Sequence, residues 1–125
     1  FISTTMNGNK IRELFKIKNN VIENDIFKIE NNTDKLNANS AYNNKYSVSL
    51  GKSSDSDHYF AGNISEEYLV DIDELKKVCS KFNLMFISAT DFENWYAKFG
   101  KNILSNNEKE FSFLNFSFVF MPNRN

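Results

Sequence analysis

A layered α/β domain is the fold class this sequence predicts, on three observations. Helix-period apolar faces and strand-period runs alternate along the chain, the pattern of a sheet covered by helices. Two helical stretches carry their own start and stop signals, from Asp71 to Asn83 and from Asp91 to Gly100. The closing run from Glu110 to Met121 has Leu114, Phe116, Phe118 and Phe120 at its even positions and mixes Phe113 and Val119 with Asn115 and Ser117 at its odd ones. Such a run reads as a strand covered on both faces, as in the interior of an α/β sheet.

The first element is a β-type run, Phe1-Ile2-Ser3-Thr4-Thr5, already under way at the first residue. A strand needs a neighbour, so the expectation is the back half of a domain that contributes to a site without containing all of it. Asn7, in the turn Met6-Asn7-Gly8-Asn9, is placed to cap a helix reaching about Lys18, with Ile11, Leu14 and Phe15 on its apolar face. Val21 to Ile29 is rich in β-branched and aromatic residues and reads as one extended segment. Asn31 to Asn44 is polar and turn-rich, a surface loop. Tyr46, Val48 and Leu50 then alternate with Lys45, Ser47 and Ser49, the mark of a half-buried strand. Gly51 to Ser65 is a polar loop.

In the second half, Asp71 and Glu74 form a capping box in Asp form ahead of the apolar face Leu75, Val78, Cys79 and Phe82. Asn83 can end that helix, because Asn tolerates the left-handed conformation. Leu84 to Ser88 reads as a buried strand. Asp91 starts a further helix with Phe92, Trp95, Tyr96 and Phe99 on one face, and Gly100 stops it. The order is strand, helix, two strands, helix, strand, helix, strand.

Composition limits the function classes. With 125 residues, 41% apolar and 13 of them Phe, the chain can pack a core as one small domain or as a piece of a larger one. A mean hydropathy of -0.50 and the lack of an apolar run near 18 residues exclude a membrane helix. Fifteen basic and 16 acidic side chains give a net charge of -1, so no global field draws the chain to nucleic acid. Cys79 is the single cysteine, which excludes an intrachain disulfide and a Cys-based metal site. Its helical spacing with Leu75, Val78 and Phe82 makes it a core thiol, and a reducing, intracellular compartment suits it.

Little in the chain carries chemistry by itself. No G-x-G-x-x-G or P-loop occurs among the four glycines. His58 has no nucleophile or carboxylate at a recognisable spacing, and Asp55, Asp57 and His58 read as part of a soluble Ser-rich loop. Glu66-Glu67, ahead of Tyr68-Leu69-Val70, admits two readings. One is a solvated approach to the following helix. The other is a cleft-edge carboxylate that accepts the N1–H and exocyclic amine of guanine, a task suited to a group that accepts at both oxygens and donates nothing.

Several segments, in order, resemble the mRNA cap guanine-N7 methyltransferases of eukaryotes and viruses. Phe1-Ile2-Ser3-Thr4-Thr5-Met6-Asn7 with Ile11-Arg12-Glu13-Leu14 is similar to that family's F-I-G-T-T-P-N segment and the helix after it. Tyr42 and Lys45-Tyr46 resemble its F-G-x-K-Y stretch, Glu67-Tyr68-Leu69-Val70 its V-P-E-[FY]-L-V, and Phe92 with Trp95-Tyr96 its F-x-x-F-Y. Leu114-Asn115-Phe116-Ser117-Phe118-Val119-Phe120 is similar to I-Y-L-V-F-A-F.

The resemblance implies the C-terminal half of a class I, Rossmann-like methyltransferase domain over residues 1–125, with a mostly parallel sheet and flanking helices. It implies transfer of a methyl group from S-adenosylmethionine to N7 of the cap guanine, with the Gly-rich donor loop in a half this chain lacks. Glu67 falls on the glutamate that binds the guanine edge, Tyr42 on an aromatic packed near the cap, and Asn115 where the family has a Tyr beside it. The implied partners are a capped RNA 5′ end, the rest of the methyltransferase domain and a capping-enzyme accessory subunit, in cytoplasm or nucleus, or in a virion or viral factory. The departures at Asn115, Ser3, Met6 and Glu66 point to a viral or otherwise remote member within a multifunctional enzyme. Two other readings stand beside it: a related methyltransferase with another acceptor, and a non-catalytic α/β module that binds or stimulates a partner subunit.

Overall fold

The computed structural model describes residues 1–33, 44–51 and 64–124. In chain order the elements are β1 (Ile2–Met6), α1 (Gly8–Ile17), β2 (Val21–Glu23), β3 (Phe27–Asn31), β4 (Lys45–Leu50), β5 (Ser65–Tyr68), α2 (Ile72–Lys81), β6 (Leu84–Asp91), α3 (Phe92–Phe99), α4 (Asn106–Ser112) and β7 (Asn115–Pro122). They divide into two compact units, Phe1–Gly8 with Val70–Asn125, and Asn9–Leu69.

The first unit is built on a three-stranded sheet in the order β1-β7-β6. Both pairings are antiparallel, with Ile2 opposite Val119 on one side of β7 and Phe86 opposite Phe120 on the other. The alternation of large residues along β7 explains its central place. Phe116, Phe118 and Phe120 are buried in one cluster with Cys79, and Ile72, Leu75, Leu84 and Phe86 pack against it. The rings of Phe118 and Phe120 meet edge to face at 5.8 Å, as do Phe86 and Phe120 at 5.6 Å, the arrangement favoured by the aromatic quadrupole. Asp71 caps α2 by accepting from the Glu74 N–H at 3.0 Å, and Asn83 takes the left-handed conformation after the helix (φ 59). Gly8 is needed where it stands: its N–H donates to the Val70 carbonyl oxygen at 3.1 Å, and a Cβ would collide with the Val70 main chain.

The second unit carries a four-stranded sheet, β2-β3-β4-β5, antiparallel throughout. Its residues alternate as a half-buried sheet requires. Ile22, Ile29 and Val48 lie across from one another in register, and all three are buried, as are Phe27 and Tyr46. The opposite face is ionic, with Lys28 paired to Glu30 at 3.4 Å and Lys45 to Glu66 at 3.7 Å.

These two antiparallel sheets correct the expected fold. The molecule is a small α/β protein, not a mostly parallel Rossmann-like sheet, and every pairing among the described residues is antiparallel. Apolar periodicity records which face of a strand is buried and carries nothing about its direction. The last strand also differs from the expected burial on both faces. Its even positions are buried, but Asn115, Ser117 and Val119 are half-buried, so only one face is sealed.

Four element readings also change. Val21 to Ile29 is a hairpin, because Asn24 turns the chain: its side-chain oxygen accepts from the Ile26 N–H at 2.9 Å and its own N–H donates to the Phe27 carbonyl at 3.0 Å. Ser65–Tyr68 is a strand where a helix approach is expected. Residues 106–112 form a helix where the closing apolar run is expected to begin. Ser105 starts it with a reciprocal capping box, accepting from the Glu108 N–H at 3.2 Å while the Glu108 carboxylate accepts from the Ser105 N–H at 3.0 Å. Finally, Leu84–Ser88 is not buried: β6 runs on to Asp91, lies at a sheet edge, and leaves Met85 and Ile87 nearly half exposed.

Candidate functional site

Glu67 stands on β5, the edge strand of the second unit, and its register partner on β4 is Tyr46. Residues opposite each other in an antiparallel pair share a face, so Glu67 and Tyr46 emerge on the same side of the sheet. Glu66, its neighbour, emerges on the other side, opposite Ser47. The strand period therefore separates two carboxylates that are adjacent in sequence, and only Glu67 adjoins the apolar face.

Tyr46 is almost fully buried, while Glu67 is exposed. The Tyr46 hydroxyl donates to Glu67 Oε2 at 2.9 Å, and the Ser65 hydroxyl lies 3.4 Å from Oε1. A buried phenol beside a carboxylate resists ionisation. Burial first, then the charge and hydrogen bond of Glu67, push the Tyr46 pKa well above its ordinary value. The phenol thus stays a donor and holds one carboxylate oxygen in place. An ionised carboxylate offers about four acceptor positions, so Glu67 retains capacity for an outside donor.

The other face of β4 and β5 carries a small ionic group. Lys45 pairs with Glu66 and sits 5.5 Å from the centre of the Tyr68 ring. Tyr68, through its hydroxyl and its charge when ionised, and then Glu66 raise the Lys45 pKa. These side chains are solvated and screened, which makes them a soluble sheet face.

Asn115 lies in the first unit, at the start of β7. Its side-chain amide donates to the carbonyl oxygens of Phe111 at 3.3 Å and Ser112 at 3.1 Å. The last carbonyls of a helix lack intrahelical partners, and Asn115 supplies one at the end of α4. Its N–H donors face its own backbone, so the residue has a structural task that a Tyr could not perform. Tyr42 lies outside the described residues, as do His58, Asp55 and Asp57. Cys79 is buried and unpaired, as its helical spacing implies.

A concavity of about 610 Å³ in the second unit is lined by Glu23, Asn24, Asp25, Phe27, Lys28, Ser49 and Gly51, and it includes neither Glu67 nor Tyr46. No group of three or more potential metal ligands occurs among the described residues. No helix among them is long and apolar enough to cross a membrane.

Tyr46 is the neighbour of Glu67 that the sequence does not reveal. Its alternation with Val48 and Leu50 marks it as inward-facing, but nothing local says which strand lies beside β4. No protein-family model matches this chain, and no curated protein is significantly similar to it.

Proposed function

We propose that this chain contributes the guanine contact of an mRNA cap guanine-N7 methyltransferase, with Glu67 accepting from the Watson–Crick edge of the cap. The observation that carries the reading is the Tyr46–Glu67 pair: an exposed carboxylate whose orientation is set by a buried phenol at 2.9 Å. Such an acceptor is preorganised for a planar group with two adjacent N–H donors. The ordered similarity of Phe1–Asn7, Lys45-Tyr46, Glu67–Val70 and Leu114–Phe120 to that family supports the same reading. S-adenosylmethionine would supply the methyl group, and no residue of this chain is assigned to it. Guanine N7 is a lone-pair nucleophile and the sulfonium an activated donor, so positioning, worth up to about 7–11 kcal/mol in favourable cases, would be the chain's contribution.

Glu67→Gln separates the two roles of the side chain. The amide oxygen can still accept from Tyr46, so the fold should hold. The amide nitrogen puts a donor where guanine also donates, so cap binding should weaken by roughly tenfold to a hundredfold, as for an unpaired buried donor costing about 1–3 kcal/mol. The measurement is binding of a GpppG-capped oligonucleotide against its uncapped twin. Methyl transfer should follow in the full parent protein. Equal cap binding by wild type and Glu67→Gln sinks the assignment.

A second reading, a non-catalytic module that binds a partner capping subunit, is favoured by a different observation. Asn115 spends its amide on the end of α4 and leaves no aromatic surface at a position the methyltransferase family uses for the cap. A parent protein without methyl transfer that still captures a capping subunit would select this reading.

A further inference from the structure

Helix α3 carries Phe92, Trp95, Tyr96 and Phe99, yet none of its residues is buried. Tyr96 has an internal task. Its ring tilts against Phe113 at 5.7 Å, and its hydroxyl accepts from the Leu104 N–H at 3.4 Å, which ties α3 to the segment after it. Trp95 and Phe99 lie one turn apart on the same face of the helix and look outward, Phe99 71% exposed and Trp95 42%. Their rings stack at 5.7 Å with planes 28° apart.

The stack is held in place. The indole N–H of Trp95 donates to the Ser117 hydroxyl oxygen at 2.9 Å, and that hydroxyl donates in turn to the Thr90 carbonyl at 3.3 Å. Ser117 and Thr90 are register partners on β7 and β6, so the indole is anchored to two paired strands. Helix α3 packs on these same strands and lies clear of the outer edge of β1. Phe99 covers one side of the indole and turns its own far side to solvent. Hydration of such a fixed apolar face costs free energy that a stacked ligand recovers.

The charge of this segment has one sign. Between Glu93 and Glu108 the chain contains Lys98 and Lys101 and no carboxylate side chain. Both lysines are exposed, and neither forms an ion pair among the described residues.

We propose that Trp95 and Phe99 form a stacking platform for a base of single-stranded RNA, with Lys98 and Lys101 on its phosphates. Every base has a flat π face, so a base laid on the free side of Phe99 extends the column of rings whatever the sequence. The two lysines supply a phosphate attraction that a purely apolar partner would not need. The choice of RNA rests on the cap reading, but the platform itself takes an uncapped strand.

Trp95 is the single tryptophan of the chain, so its emission reports the stack directly. Titration of the full chain with an uncapped oligoadenylate RNA should quench that emission to saturation. Phe99→Tyr keeps a ring and should bind as wild type does. Phe99→Leu keeps apolar bulk without a π face and should weaken binding roughly tenfold. Lys98→Gln combined with Lys101→Gln should flatten the log K against log salt slope by about 1.4, the single-strand value for two phosphates. None of these variants should change the ratio of capped to uncapped affinity, which Glu67→Gln should lower, so the platform and the guanine contact fail separately. No quenching by oligoadenylate, or wild-type affinity in folded Phe99→Leu, overturns the proposal. Should Phe99→Leu not fold, the lysine pair decides, and an unchanged salt slope overturns it. Trp95 emission that responds to a capping subunit and not to RNA overturns it in favour of a protein interface.

Discussion

The hydroxyl of Tyr46 is held by Glu67 while its ring is sealed inside the second unit, and this has a consequence for pH. The folded-state pKa is raised, by burial first and by the neighbouring carboxylate second. Above the ordinary phenol value of about 10, the unfolded chain gives up this proton while the folded chain keeps it. The unfolded state then binds fewer protons, so stability, complete below about pH 10, falls as pH rises toward the higher folded value. Urea unfolding of wild type and Tyr46→Phe should show a shallower alkaline decline in the variant. Near pH 7 the same substitution should cost about 0.5–1.5 kcal/mol, the net value of one hydrogen bond. An equal alkaline slope in both proteins would mean that the Tyr46 proton is not held.

At the scale of elements, α4 and β7 depend on different forces. Helix α4 is short and its mid-section is largely solvated, so its ends matter most. The Ser105 side chain caps the first turn, and the Ser105 main-chain and side-chain groups lower the Glu108 pKa. Ser105→Ala should cost about 1 kcal/mol, the usual value of a lost cap, with faster amide exchange confined at first to residues 106–112. Strand β7 depends on burial. Phe120 is fully buried and touches Phe86 and Phe118, so Phe120→Ala should destabilise by about 3–5 kcal/mol in chemical denaturation. The Phe-rich strand also exposes no edge, since β1 and β6 pair with both its sides.

Across the whole molecule, charge is nearly balanced, with a net of -1. A protein without a basic field releases few counterions when it meets RNA, so its binding should depend weakly on salt. If the chain recognises a cap through Glu67, capped RNA should bind with a log K against log salt slope much shallower than that of a polybasic binder. Uncapped RNA of the same sequence should bind far more weakly at every ionic strength. A steep slope shared by both RNAs would point to phosphate contacts from a local basic patch.

How much of this could be read from the residues depends on what each signal encodes. Residue 45 to residue 50 alternates so regularly that the strand bounds coincide with the expected ones. Asp71, Asn83 and Gly100 delimit α2 and α3 as expected, because caps are local chemistry. Local chemistry fails where two elements compete. The capping box at Ser105 competes in the sequence with the apolar run beyond it, and Asn24 turns a stretch whose composition reads as extended throughout. Phe82 shares the helical spacing of Cys79 yet is 73% exposed, because it follows the last helical residue and leaves the buried stripe.

The amino-acid sequence by itself determined where most helices and strands lie, which of their faces are apolar, and that Cys79 is a core thiol. Those properties follow from the periods of helix and strand, which any short window contains. Only the tertiary structure decided the direction of the strands, the division into two sheets, the pairing of Tyr46 with Glu67 and the structural use of Asn115. Each of these is a relation between segments far apart in sequence, set by loop closure and by which buried faces fit together, and no local window contains it.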